Sequence, residues 1–437
     1  MHKFSLKLIP ALVLAAISGA ASASGFQLTE QNASGIGNAY AGSAAVGENA
    51  STIYFNPAAM TRLQAREISG GISAVKLRAH FNDQGSSVGT LNGTGEGGDA
   101  GGWGVIPNLY ASWALNKDLY LGLGIGAPFG FKIEYDDRWL GAAHSQMFDV
   151  KTLNINPSVA WRAHEKLSLG FGLNWQRGKM KYDRLAGVGA GGFENVKAKD
   201  DLDDDAWGWN VGLLYEPSPT MRIGLSYRSE VKYHMTGDVS LQSDGSAAGN
   251  ALLAGLVGAG YQSKLKSTVS LPGTFIISVA QQLSDRWEML GDISRTGWSS
   301  INNFDIDHSS GLRDGQRAQR IDADFRDAWR IAFGANYKYN DQWKLKYGIA
   351  YDQTPVKRSS TRMTQLPDND RVWLSFGTQW TPNKASRLDL GLAYVFIRDA
   401  RINKTITTVP HGYNGGTVSG KYEGNLWVLG AQYSQSF

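Results

Sequence analysis

The chain has 437 residues, 19% of them charged, a net charge of +4, no cysteine, 53 glycines, 14 Trp and 18 Tyr. That balance offers no basic surface for nucleic acid, and without thiols the fold must be held by packing and backbone pairing rather than disulfides. The negative mean hydropathy by itself describes a soluble protein, but transmembrane β-strands alternate and never build the long apolar run of a membrane helix.

The first 23 residues read as a removable secretory signal: Lys3 and Lys7, a short apolar run from Leu8 to Ile17, and the small-residue site Ala21-Ser22-Ala23. The mature chain is then expected to begin at Ser24. Residues 24–62 are rich in Gly, Ala, Ser and Asn yet carry Phe26, Tyr40, Ile53, Tyr54, Phe55 and Met60, too apolar for a solvated tail. They end at Asn56-Pro57-Ala58, where proline fixes the backbone angle. This segment is expected to fold as a plug, with Asn56, Pro57 and Ala58 as its hinge, ahead of a barrel over 63–437.

From about residue 66 period-two segments recur. Trp329, Ile331, Phe333, Ala335 and Tyr337 alternate with Arg330, Ala332, Gly334 and Asn336, and Leu388, Leu390, Leu392, Tyr394 and Phe396 repeat the pattern. About fourteen strands are expected, starting near Glu67, Val105, Leu119, Lys151, Leu167, Trp207, Met221, Lys266, Trp287, Ala328, Trp343, Arg371, Arg387 and Leu426. Alternation alone fits a sandwich as well as a barrel. The connections separate the two: short turns such as 116–118, 164–166 and 340–342 alternate with long loops at 82–102, 185–205, 240–264 and 299–320. An even strand number with loops sorted by side predicts an all-β, antiparallel transmembrane barrel of the Gram-negative outer membrane.

Within this frame, "GIGAPFG" places Pro128 inside a strand among Gly124, Gly126 and Gly130. Pro128 removes a ladder hydrogen bond, which predicts a kink in the wall over Gly126, Ala127, Pro128, Phe129 and Gly130. Leu252, Leu253, Leu256 and Val257 lie at helical spacing inside the 240–264 loop, an apolar face suited to a greasy ligand or to neighbouring loops. Asp201, Asp203, Asp204 and Asp205 form an acidic loop, solvated or bridging divalent cations and lipopolysaccharide. The last strand ends on Phe437, resembling the signal by which bacterial barrels are recognised by the assembly machinery. The seven histidines are scattered without a metal-ligand or Ser/His pattern, and no phosphate loop, cofactor motif or catalytic constellation is present.

"SGFQLTEQNASGIGNAYAGSAA" followed by "NPAAM", together with "WGWNVGLLYEPSPTMRIGLSYRSEVKY" and "LPDNDRVWLSFGTQW", closely resembles the FadL family of outer-membrane long-chain fatty-acid transporters over nearly the whole mature chain. The resemblance implies a 14-stranded barrel closed by an amino-terminal hatch and an outer binding groove among the long loops. It also implies ligand-gated hatch movement with Phe26 near the bound chain, and release sideways through a gap at the kink. The family's pocket arginine falls on Arg184. Its second basic contact, a lysine, falls on Ile321, so Arg320 or Arg317 is the candidate replacement, although the neighbouring residue of a strand points to the opposite face. The expected ligands are long-chain fatty acids, with monoaromatic or other hydrophobic hydrocarbons as the alternative and a general diffusion porin behind both. Outer-membrane lipid and lipopolysaccharide are the expected surroundings.

Overall fold

The computed structural model describes residues 25–87, 94–188, 195–406 and 415–437; the expected leader and Ser24 lie outside them. The described residues form fourteen antiparallel strands. The first six are β1 Arg66–Asp83, β2 Trp103–Ala114, β3 in two pieces, Leu119–Gly126 and Gly130–Glu134, β4 Met147–His164, β5 Leu167–Val188 and β6 Asn195–Ser218. Four divided strands follow: β7 Met221–Arg228 and Val231–Ser243, β8 Ser263–Leu271 and Thr274–Gln282, β9 Trp287–Thr296 and Asn303–His308, β10 Arg317–Asp322 and Ala328–Lys338. The last four are β11 Trp343–Asp352, β12 Arg371–Asn383, β13 Ser386–Ile397 with Ala400–Ile406, and β14 Gly416–Ser436. Sequential strands pair, and β14 returns to β1 in continuous register from Glu67↔Ser436 to Asp83↔Gly420, so the sheet has no free edge.

The alternation decides which side meets which medium. Ile72, Leu121, Phe171, Ile277, Ile331, Phe333, Leu374 and Leu429 point outward and stand exposed, the arrangement that lipid requires. Exposed aromatics flank this band, with Trp113, Trp161, Trp343 and Tyr433 toward the short turns and Trp103, Trp207, Trp329 and Trp427 toward the long loops. No helix of the described residues is long and apolar enough to cross a membrane; the strands do the crossing.

Two stretches expected as loops are largely strand. β5 and β6 continue through most of 185–205, because the alternation persists there: Val196, Ala198, Asp200 and Leu202 are buried between exposed or half-buried charges. The acidic residues are therefore not in a loop. Arg177 pairs with Asp203 and Asp205, and Lys179 and Lys181 with Asp201, so three of the four carboxylates are paired across strands, while Asp204 accepts the His234 backbone N–H at 2.7 Å. Among the described residues no group is arranged to hold a metal. Much of 299–320 is likewise the outer hairpin of β9 and β10, Asn303–His308 on Arg317–Asp322.

Candidate functional site

Residues 25–63 run through the inside of the barrel. The segment contains one short helix, α1 Thr52–Phe55, and two 3-10 turns, and nearly all of it is buried. Glycines on the inner faces of the strands make room for it. A Cβ on Gly212 of β6 would overlap Asn56 Oδ1, one on Gly224 of β7 the Ala44 carbonyl, and one on Gly348 of β11 the backbone of Asn38. Small residues on both partners thus let backbone lie on backbone, which explains the glycine-rich composition better than strand propensity does.

Asn56, Pro57 and Ala58 are fully buried. The Asn56 side chain caps the following turn by accepting from Ala58 N at 3.0 Å, and it donates to Ala44 O at 2.6 Å and Leu213 O at 3.0 Å. One amide therefore ties both limbs of the segment to the wall. Charge ties it elsewhere. Lys346 Nζ reaches Glu48 Oε2 at 2.8 Å, Asp389 Oδ1 at 2.9 Å and Ser34 O at 3.1 Å, and Lys344 meets Glu48 Oε1 at 2.6 Å. Burial works against the Glu48 charge, but the two lysines outweigh it and hold the carboxyl well below the ordinary range. Glu30 is the opposite case. Neither of its carboxyl oxygens has a hydrogen-bond partner on another residue, and burial pushes its pKa up to about 7 against the pull of its own backbone N–H, Arg371 and Arg330.

The wall breaks where the proline and glycines predict it. The first piece of β3 pairs with β2 only as far as Leu109↔Ile125, and the second pairs with β4 alone. Partners Gly126↔Asn154 and Gly130↔Lys151 show one extra residue on β3, a bulge around Pro128. The start of the N-terminal segment is laid along this break. Leu28 N donates to Pro128 O at 2.8 Å, Gly130 N to Phe26 O at 2.9 Å, and Gln31 Nε2 to Ala127 O at 2.6 Å. Gln27 bridges to Phe129 in antiparallel fashion. The Phe26 ring packs on Phe129 and edge-on to Trp298, with centroids 6.0 and 4.9 Å away. Gly25 N donates to Asp368 Oδ2 at 3.0 Å, and Asp368 is itself held by Arg371.

The two ends of the lumen differ in character. Toward the long loops the interior is apolar, with Phe131, Phe148, Val150, Phe304, Ile321 and Phe325 buried together. At the short-turn end a cavity of about 350 Å³ is lined by Glu48, Arg62, Glu67, Arg222, Glu288 and Arg387. A greasy molecule is welcome at one end and not at the other.

Of the residues named from sequence, Phe26 and the 126–130 stretch are brought together. Arg184 is buried inside the outer end of β5, paired with the equally buried Asp200 at 2.6 Å and covered by the Tyr182 ring. Arg320 is a correction. Its side chain is 54% exposed on the outer face and bound to Asp305 and Asp322, whereas its neighbour Ile321 points inward, as strand alternation demands. Arg317 pairs outside in the same way. The loop helix exists as α2, Ala247–Gly258, capped by Ser246, with Leu256 buried and Leu252 and Leu253 half-buried. Val257 turns to solvent and does not share that face. Sequence reasoning missed Trp298, Asp368 and the inward fold of 353–370, where Val356, Met363 and Leu366 are buried. The only signal was an apolar scatter without period two.

An even-stranded barrel, lipid-facing outside and filled by its own N-terminal segment, defines an outer-membrane transport barrel. The family described as outer membrane protein transport protein (OMPP1/FadL/TodX) matches residues 14–437, and the chain belongs to it. It is 28% identical over 454 residues to the long-chain fatty acid transport protein of Escherichia coli (strain K12), covering 98% of this chain and 97% of that one. To outer membrane protein P1 of Haemophilus influenzae it is 32% identical over 435 residues, 90% of each. In structure it is similar to a Pseudomonas aeruginosa FadL homologue, with a TM-score of 0.85 at 21% identity over 95% of this chain and 100% of that one. The Ralstonia pickettii toluene transporter TbuX gives 0.64 at 16% identity, covering 93% and 99%. The family carries hydrophobic compounds across the outer membrane, and that coarse activity is this chain's as well.

Proposed function

We propose that the protein takes up long-chain fatty acids by diffusion gated by ligand, with residues 25–62 as the hatch and the break at Gly126–Gly130 as the lateral exit. The observation that carries this reading is the seating of Phe26–Leu28 in the wall break, because withdrawal of those three residues opens the lumen toward lipid. A ligand gathers first at the outer loops, where the half-buried Leu252 and Leu253 of α2 offer an apolar face, and enters the apolar lumen beside Phe26 and Arg184. Its arrival displaces Phe26 from Trp298, and the hatch pivots on the fixed Asn56-Pro57-Ala58 anchor.

Energetics favours the sideways route. Burial of a CH₂ is worth about 0.8 kcal/mol, so a sixteen-carbon chain carries on the order of 12 kcal/mol. Release through the charge-lined cavity into water forfeits most of that, while release into the bilayer keeps it. The long-chain fatty acid transport proteins among the relatives support the ligand class. A second reading, uptake of monoaromatic hydrocarbons, is favoured by Ile321, which leaves the outer piece of β10, Arg317–Asp322, without an inward-facing cation. Phe437, exposed at the end of β14, is the proposed contact for the barrel-assembly machinery, and outer-membrane lipid with lipopolysaccharide surrounds the outer band. Uptake of radiolabelled oleate and of toluene is to be compared in cells with and without the protein. Oleate uptake that depends on the protein supports the reading, and toluene-only uptake replaces it with the second.

A further inference from the structure

Within the apolar outer end of the lumen, one buried ion pair carries a charge pattern that a carboxylate does not fit. Arg184 and Asp200 face the interior from neighbouring strands, with side chains 4% and 0% exposed, and Arg184 Nη1 donates to Asp200 Oδ2 at 2.6 Å. The pair is electrically closed. Yet it is not closed in hydrogen bonds: Arg184 Nε, a donor, and Asp200 Oδ1, an acceptor, are both buried without a partner. Buried polar atoms are normally satisfied, so an orphan donor and an orphan acceptor on one ion pair mark a place for a group able to accept one bond and donate another. Met180, Leu185, Ala198 and Leu202 around them are buried and apolar, which suits the chain behind such a head group. Ile321 and Gln319 share the inner face of the outer piece of β10. Gln319 is 2% exposed, and both its amide atoms lack partners.

We propose that this site binds long-chain molecules through an uncharged donor–acceptor head group, a protonated carboxyl or an alcohol, held between Arg184 Nε–H and Asp200 Oδ1. The inference rests on the uptake function proposed above and narrows its ligand. A carbonyl or hydroxyl oxygen accepts from Nε, and the head group's O–H donates to Oδ1. A carboxylate instead sets a second negative charge beside Asp200 in a water-poor interior, and displacing Asp200 to make room leaves that carboxyl buried and unpaired. Fatty acids on this view are bound as the neutral acid, and fatty alcohols are ligands in their own right.

The test uses the full chain in detergent with three eighteen-carbon ligands, radiolabelled oleate, methyl oleate and oleyl alcohol, at pH 8 and pH 5. Oleate binding is expected to tighten at least tenfold from pH 8 to pH 5 while oleyl alcohol binding stays constant, with methyl oleate, which accepts but cannot donate, weaker than the alcohol. Asp200→Asn removes the acceptor charge, and in it the alcohol-to-oleate affinity ratio at pH 8 should fall at least tenfold; a ratio between variants cancels partition into micelles. Oleate binding that is tightest at pH 8, or a ratio unchanged by Asp200→Asn, overturns the inference and leaves fatty-acid uptake standing. If none of the three ligands binds at either pH, the uptake function falls with it. The pH series on the unaltered chain decides the matter even where Asp200→Asn does not fold.

Discussion

Lys346→Met removes the most deeply buried of the cations that join the N-terminal segment to the wall. Lys346 is 1% exposed and its ammonium sits among Glu48, Asp389 and the Ser34 carbonyl. Its loss strands Asp389, also 1% exposed, with only the Gln379 amide at 3.0 Å and one oxygen already unpartnered. Breaking one side of a buried ion pair costs about 3–5 kcal/mol. Lys344 still holds Glu48, so the lower figure applies, and about 3 kcal/mol shifts the seated-to-unseated ratio by roughly a hundredfold. The cost falls on the seating of 25–63, because the strand register around Lys346 runs unbroken from Trp343↔Trp380 to Asp352↔Arg371 without that side chain. Planar-bilayer conductance and protease cleavage within 25–61 read the seating, while heat-modified gel mobility reports the barrel. Lys346→Met should flicker open and be cut faster with its barrel intact, and adding Asp389→Leu should restore closure by removing the stranded charge. A Lys346→Met barrel as silent and as protected as the parent would refute the reasoning.

Other expectations follow from the same segment. Glu30 holds its proton to about pH 7 when seated and to 4.5 when free, so seating is strongest at low pH and weakens as pH rises between those values, by on the order of 3 kcal/mol. Arg371, Arg330, Asp352 and Tyr40 are the groups around it. Hydrogen exchange over residues 25–35 should therefore quicken from pH 5 to pH 8 beyond its intrinsic rise, and Glu30→Gln should abolish the excess; no excess in the parent contradicts the burial of that carboxyl. Gly212→Val drives a side chain into Asn56 and should unseat the anchor, seen as protease cutting near Pro57, whereas Gly291→Ala, on the outer face of β9 with nothing within reach of a new Cβ, should do nothing. Trp298→Ala takes away the ring against Phe26 and Phe129, at a cost of about 3–5 kcal/mol for a buried aromatic, and should raise basal conductance.

Much of the barrel could be read from period two and turn placement, since strands in lipid must alternate and must close. The starts at Leu119, Leu167, Met221, Trp287, Trp343 and Arg371 coincide with the structure because a short turn with Asn, Asp or Pro precedes most of them. The start expected at Trp207 is twelve residues late against Asn195, because acidic residues read as loop when their partners, Arg177 and Lys179, lie on another strand. The break at Pro128 was visible because proline subtracts a hydrogen bond locally. What fills the break was not, since Phe26 meets Phe129 and Trp298 only after a hundred and more residues of chain have closed into a wall. Arg320 illustrates the same limit at short range: composition offered a cation beside Ile321, and alternation sent it outside.

The chain has no cysteine, so a single engineered pair is unambiguous. Gln27→Cys with Phe129→Cys places two thiols at directly bridged positions, one on the N-terminal segment and one in the wall break, within disulfide geometry. If hydrophobic ligands leave through that break, oxidised cells should lose oleate uptake and regain it on addition of reductant, with the barrel intact throughout. Oleate entering as fast through the oxidised, locked barrel as through the reduced one would contradict the account.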